Sequence, residues 1–235
     1  MKEVKLYVNK EDINTIDYLK TLFNTDAKIQ YDILMNSSVV FKVNILDSYT
    51  NVFYKFIAKV IVTNAKFDFF SKRLNIDSYT YEKVALLASL IFFAIKSEVN
   101  EVYKKIKNLS SINIDGVINF CLVGLYSDWE DLLEVVELIL CGDMTSSDIN
   151  NVISFIMASK QASKKSLFLA EFPELLITNV TDGVITTNVK FFHNSEYDLI
   201  SLIVEECPLE FIVEDGVLSK DLLKVLSKFT DIKVL

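Results

Sequence analysis

Three groups of side chains in this sequence have the types and spacing from which chemistry could be built. Glu130, Glu134 and Glu137 share one face of a helical segment that also carries Asp128 and Asp131. Helical carboxylate metal sites usually add a His from a Glu-x-x-His pair. No His lies nearby in sequence, so a solvated acidic face is expected, and acidic residues early in a helix also suit its dipole. The second group is basic. At roughly 100° per residue, Lys55, Lys59, Lys66 and Arg73 project at about 0°, 40°, 20° and 0°, while Phe53, Phe56, Ile57, Val60, Ile61 and Phe67 occupy much of the remaining circumference. This narrow stripe reads as a wet face, and as the interaction face of the chain if it has one, suited to anionic lipid or an acidic partner. The two opposite stripes could also meet each other. The third group is His193 with Cys121, Cys141 and Cys207. His193 stands in Phe191-Phe192-His193-Asn194 before a capped helix and reads as a loop or capping residue, since no activated nucleophile can be named for it. The cysteines are odd in number, without a close pair or a His spaced to complete a zinc site, and read as buried small hydrophobes in a reducing compartment.

Recognisable catalytic spacings are missing. The sequence has no Gly-x-Gly-x-x-Gly, no Gly-x-x-x-x-Gly-Lys-[Ser/Thr], no Gly-x-Ser-x-Gly and no Cys-x-x-Cys, so nucleotide, hydrolase and redox signatures are absent and no cofactor is expected. Charge narrows the partners. Residues 1–110 carry 16 Lys and Arg against 12 Asp and Glu, residues 111–235 carry 8 against 20, and the net charge is −8. A pI near 4.8 and a single Arg, Arg73, argue against a dedicated nucleic-acid binder, whose affinity comes mostly from neutralising phosphates.

The elements that must position these groups follow from composition and pattern. The 235 residues are 51% hydrophobic and 24% charged with 5 Gly and 2 Pro, which demands a compact core and excludes disordered, collagen-like and disulfide-scaffold classes. The most apolar stretch, Val84 to Ile95, is shorter than the roughly 20 residues that span a bilayer. Residues 1–9 lack the apolar run of a signal peptide, so the cytoplasm is the expected compartment.

Val4, Leu6 and Val8 alternate with polar neighbours as a strand does. Asn9, with Asp12, is expected to cap a helix whose stripe is Ile13, Ile16, Leu19, Leu22 and Phe23. Strands follow over 28–35 and 38–46, joined by Asn36-Ser37. From Ser48 to about Ser159 the pattern is helical. The spacing predicts one helix over 79–107, passing through the centre of the fold and ending at Lys104, Lys105 and Lys107. A capping box at Ser127 and Glu130 predicts a helix that Gly142 stops, and Thr145 with Asp148 opens another. After the polar break 160–165, strands are expected over 167–172, 175–180 and 184–189, then a helix from Ser195 to Pro208, a strand over 209–213, a helix over 219–228 and a final strand over 232–235. The expected fold is α+β, a helical central bundle with small α/β units at both ends. The segments are 1–46, 47–160 and 161–235, with one compact domain as the simpler alternative.

Three stretches carry a family resemblance. Ile114-Asp115-Gly116-Val117-Ile118-Asn119-Phe120-Cys121-Leu122 with Tyr126 looks like an Asp-Gly-Phe-x-x-Phe-Arg-Leu segment and its downstream Tyr. Leu132 to Gln161 forms a helix pair leading into a Gln-containing break. Tyr197 to Pro208, followed by Leu209 to Val213, is similar to an Asp-Leu-Leu-Ile-Ser helix that ends in Pro before a strand. In order and spacing these resemble the YtxC-like family of sporulation proteins from endospore-forming bacteria, over roughly residues 112–235. From the residues themselves, the first stretch is a helix start with Gly116 giving close packing and with Phe120 and Leu122 buried. The resemblance brings no catalytic residue with it. It implies a non-enzymatic role in sporulation through contacts with a protein partner. The alternative is a peripheral membrane factor using the basic stripe, and an enzyme centred on His193 or the Glu130 face comes third.

Overall fold

A computed structural model describes residues 1–25, 28–35, 37–74, 76, 78–140, 144–158, 160, 166–172, 174–179, 183–184 and 195–235. In chain order the elements begin with β1 (Lys2–Val8), α1 (Ile13–Thr25), β2 (Ile29–Met35), β3 (Val39–Ile45), α2 (Thr50–Arg73), α3 (Tyr81–Phe92) and α4 (Ile95–Ile106). They continue with β4 (Ser111–Asn113), α5 (Ile114–Cys121), α6 (Val123–Leu140), α7 (Ser146–Met157), β5 (Ser166–Phe172), β6 (Glu174–Asn179) and β7 (Gly183–Val184). The last are α8 (Ser195–Glu206), β8 (Glu210–Val213), α9 (Lys220–Leu226) and β9 (Asp231–Val234). The fold is α+β, as the alternation of patterns indicated. The chain makes two compact units, Met1–Phe69 with Ala94–Glu134, and Phe70–Phe93 with Val135–Leu235.

The first unit is built on a sheet of order β2-β3-β1-β4, antiparallel except for the β1/β4 pair. Val4, Leu6 and Val8 oppose Val43, Phe41 and Val39 in register, and all six are buried. Period-2 patterning therefore sets both the strand and its buried face. Phe23 of α1 closes that face, its ring 5.3 Å from Tyr31, 5.8 Å from Phe41 and 6.1 Å from Phe53. Helix α1 begins one turn later than Asn9 would place it. Asp12 accepts the Thr15 N–H at 3.0 Å, while the Asn9 side chain accepts the Glu11 N–H at 3.2 Å and its carbonyl the Asp12 N–H at 3.1 Å, both before the helix starts. Ile13, expected in the stripe, is thereby left at the exposed start of the helix.

The second unit has a sheet of order β7-β6-β5-β8-β9, with β5, β8 and β9 parallel and α8 and α9 as the crossovers. Helix α3 is its core and packs on α7, α8 and α9. Every residue from Val84 to Phe92 is buried, and each of its leucines contributes about 2 kcal/mol through the apolar area taken from water. The single helix expected over 79–107 is two helices. Phe93 leaves helical geometry at ψ 132°, and Ala94, at φ 53°, is left-handed. The apolar run was long enough to continue the pattern, but nothing in a helical period marks a break.

One further helix start differs from expectation, and one agrees with it. Helix α6 begins at Val123, so Ser127 and Glu130 lie inside it. Helix α5 is capped by Asn113, which accepts the Gly116 N–H at 3.2 Å, and a Cβ at Gly116 would meet only ordinary contacts, so close packing does not require that glycine. Phe120 is 84% exposed where burial was expected, whereas Leu122 is fully buried. The cap at Thr145 forms as its spacing indicated, and the helix expected over 219–228 is capped by Ser219. Cys141, Gly142, His193, 161–165 and 185–190 lie outside the described residues.

Candidate functional site

Helix α2 carries the basic stripe, and the structure divides it. Lys55 is exposed, Lys59 half-buried, Lys66 wholly buried and Arg73 exposed at the end of the helix. The expectation of one continuous wet face therefore fails at Lys66. Helical angle fixes the direction in which a side chain leaves its axis, and a neighbouring helix decides what it meets there.

At Lys66 the neighbours are α4 and α6. The Lys66 ammonium donates to Glu98 Oε2 at 2.8 Å and to Oε1 at 3.0 Å, and the Trp129 indole Nε1 donates to Oε1 at 2.8 Å. Lys66 Nζ also lies 5.7 Å from the Trp129 ring centroid. Phe69 and Tyr126 stand against that indole at 5.7 and 4.8 Å, and against each other at 5.9 Å. Burial pushes the Lys66 ammonium below its ordinary range, while the Glu98 charge and its hydrogen bond pull it back. Burial and the nearby Asp68 charge push the Tyr126 phenol up. A buried charge needs a partner and satisfied hydrogen bonds, and Glu98 supplies both here. A catalytic lysine must be neutral and reachable by substrate. Lys66 has 0% exposure and is tied to a carboxylate, so this cluster holds α2, α4 and α6 in one arrangement and offers no open nucleophile. Neither Glu98 nor Trp129 was singled out in the sequence. A lone Trp and a Glu following the apolar run were the available signals, and neither names a partner.

At Lys55 the neighbour is Tyr103 of α4. Lys55 Nζ lies 5.7 Å and Lys107 Nζ 6.0 Å from the Tyr103 ring centroid, and the Tyr103 hydroxyl donates to Asn51 at 3.1 Å. Asn51 and Lys55 are one turn apart on α2, as Tyr103 and Lys107 are at the end of α4, so these two pairs form one face. The Tyr54 hydroxyl donates to the Leu109 carbonyl, which ties the segment after α4 to the start of α2. The lysines of α4 were legible as residues suited to a helix C-terminus. Their meeting with Lys55 was not.

The remaining candidates do not converge. Asp128, Glu130, Asp131, Glu134 and Glu137 are all exposed on α6, and among the described residues no group of three His, Cys, Asp or Glu is placed to hold a metal ion. Cys207 is buried at the end of α8, where burial pushes its thiol up against the opposing pull of Lys160. Such a thiol is a poor nucleophile. Cys121 is half-buried, and its carbonyl accepts from Lys105 at 2.7 Å. Among the described residues no helix is long and apolar enough to cross a membrane. No protein-family model, curated protein or solved structure matches the chain.

Proposed function

We propose that this chain is a non-enzymatic, cytoplasmic protein of the sporulation programme that acts by binding another protein. The sporulation assignment rests on the resemblance of residues 112–235 to the YtxC-like family. The observation that carries the mode of action is the corner between α5 and α6, where Phe120 is 84% and Val123 64% exposed. A large aromatic left in water beside a second apolar side chain is the kind of anchor that a partner's pocket desolvates. Close by, the Lys105 ammonium holds the last turn of α5 through the Cys121 carbonyl and pairs with Glu101 at 2.8 Å. The corner is thus presented on braced backbone, which lowers the ordering cost of binding.

The test places a photoreactive aromatic at position 120 in the endospore-forming source and follows adducts through sporulation. Deletion strains complemented with the wild type or with Phe120→Asp are scored in parallel for heat-resistant spores. The expected result is one dominant protein adduct formed during sporulation and a loss of spores that Phe120→Asp fails to restore. Full complementation by Phe120→Asp, or spore counts untouched by deletion, overturns the reading.

A further inference from the structure

Three lysines of the first unit stand against two tyrosines, and a fourth is adjacent in sequence. Lys55 and Lys107 both lie within 6.0 Å of the Tyr103 ring centroid, Lys104 follows that tyrosine in the chain, and Lys2 Nζ lies 4.7 Å from the ring of Tyr54, whose hydroxyl reaches the Leu109 carbonyl. Among the described residues none of these four lysines has a carboxylate within ion-pair distance. The acidic groups nearest in sequence are already matched, Glu3 by Lys5 at 3.8 Å, Glu101 by Lys105 and Asp47 by the Met1 amine at 3.1 Å. Exposed apolar side chains lie close to the cations in sequence. Val52, one turn before Lys55, is 41% exposed, and Leu109, two residues after Lys107, is 42% exposed.

We propose that this α2/α4 face is a docking surface for an anionic phospholipid bilayer. Lysine ammonium groups that lack carboxylate partners are complementary to anionic headgroups and gain from each one they approach. Their alkyl stems can lie along Val52 and Leu109 while the charged ends stay in water, and a tyrosine with an apolar ring and a hydrogen-bonded hydroxyl suits the same depth. An acidic protein segment fits less well. Protein interfaces are depleted in lysine, and this face has no arginine to make bidentate bonds with carboxylates. Surface attachment of this kind needs no membrane-spanning helix. The proposal stands apart from the protein-binding corner at Phe120, and either can fail without the other.

Co-sedimentation of the full chain with phosphatidylcholine vesicles, with and without phosphatidylglycerol, tests it. Binding is expected to the anionic vesicles alone and to weaken as salt is raised. The pair Lys55→Glu and Lys107→Glu is expected to lower it by at least about tenfold, since each reversed charge changes the surface attraction twice over. The pair Lys220→Glu and Lys224→Glu on α9 makes the same change in net charge and is expected to leave binding intact. Val52→Ser with Leu109→Ser should weaken binding while keeping its salt dependence, and circular-dichroism melts confirm that each variant is folded. Equal binding to neutral vesicles, equal loss in both charge-reversed pairs, or no binding to either vesicle overturns the proposal. Capture by polyglutamate in place of vesicles also overturns it, and assigns the face to an acidic protein.

Discussion

Lys55 and Lys66 leave the same side of α2 about three turns apart, and their surroundings are opposite. Lys55 stands in water against the ring of Tyr103, whereas Lys66 has no exposed surface and shares Glu98 with the Trp129 indole. Direction from the helix axis is common to both. The difference comes from elements remote in sequence, since Glu98 and Trp129 both lie 31 or more residues from their bonded partners. One lysine can respond to a partner outside the chain. The other has its partner inside, and its removal should be felt as stability.

The largest effect is therefore expected at Glu98. Glu98→Gln leaves the Lys66 ammonium buried without its counter-charge, and the loss should be about 3–5 kcal/mol by urea unfolding. The double change Lys66→Met with Glu98→Leu removes both charges and should be more stable than Glu98→Gln alone, because no uncompensated ion remains. A double variant less stable than the single would break the comparison. Trp129→Phe comes next, at about 1–3 kcal/mol for leaving a carboxylate oxygen short of a donor and for the lost ring volume. In the double background, where the acceptor is already gone, the same change should cost distinctly less, which a double-mutant cycle measures.

Ala94 sharpens the contrast from the backbone. Its φ of 53° starts the helix that delivers Glu98, and a non-glycine residue there carries about 1–2 kcal/mol of strain. Ala94→Gly should raise stability by about 1 kcal/mol or slightly less, because glycine's greater freedom in the unfolded chain offsets part of the relief. A loss on thermal denaturation would show that the left-handed position is better held by alanine. Lys55→Met supplies the opposite pole, with an expected change within about 0.5 kcal/mol at an exposed site, read in the same urea experiment as Lys66→Met.

How much of this was legible in the sequence divides along the same line. Local signals carried through: the alternation of Val4, Leu6 and Val8, the cap at Thr145, and the buried helix from Val84. Each depends on residues within one or two turns of each other. What failed depended on distant contacts. The break at Phe93 and Ala94 interrupts an unbroken apolar pattern with no Gly or Pro to announce it. Phe120 reads as core because it is large and apolar, yet it lies outside the buried set. For the candidate faces, the sequence showed that α2 has lysines on one side and that α4 ends in lysines. It could not show that Lys55 and Lys107 would both approach the Tyr103 ring, because that requires the separation of two helices.

An exposed ion pair in the second unit asks whether burial alone makes Lys66 exceptional. Glu210 of β8 accepts from Ser166 of β5 at 2.7 Å and pairs with Lys233 of β9, so one carboxylate links three adjacent strands. The Lys233 hydrogen bond, then that of Ser166, holds the Glu210 carboxyl below its ordinary value. A carboxyl depressed in the folded state adds stability at pH above its unfolded range, and that stability is lost as pH falls through the folded value. Glu210→Gln should accordingly be slightly less stable than the wild type at neutral pH, with the difference closing on acidification through the carboxylate range. Because the pair faces solvent, added salt should shrink the neutral-pH difference as well, while the cost of Glu98→Gln in the buried cluster should hardly respond. A Glu210 effect as large and as salt-insensitive as that at Glu98 would mean that connectivity between strands, and not exclusion of water, sets the worth of an ion pair in this protein.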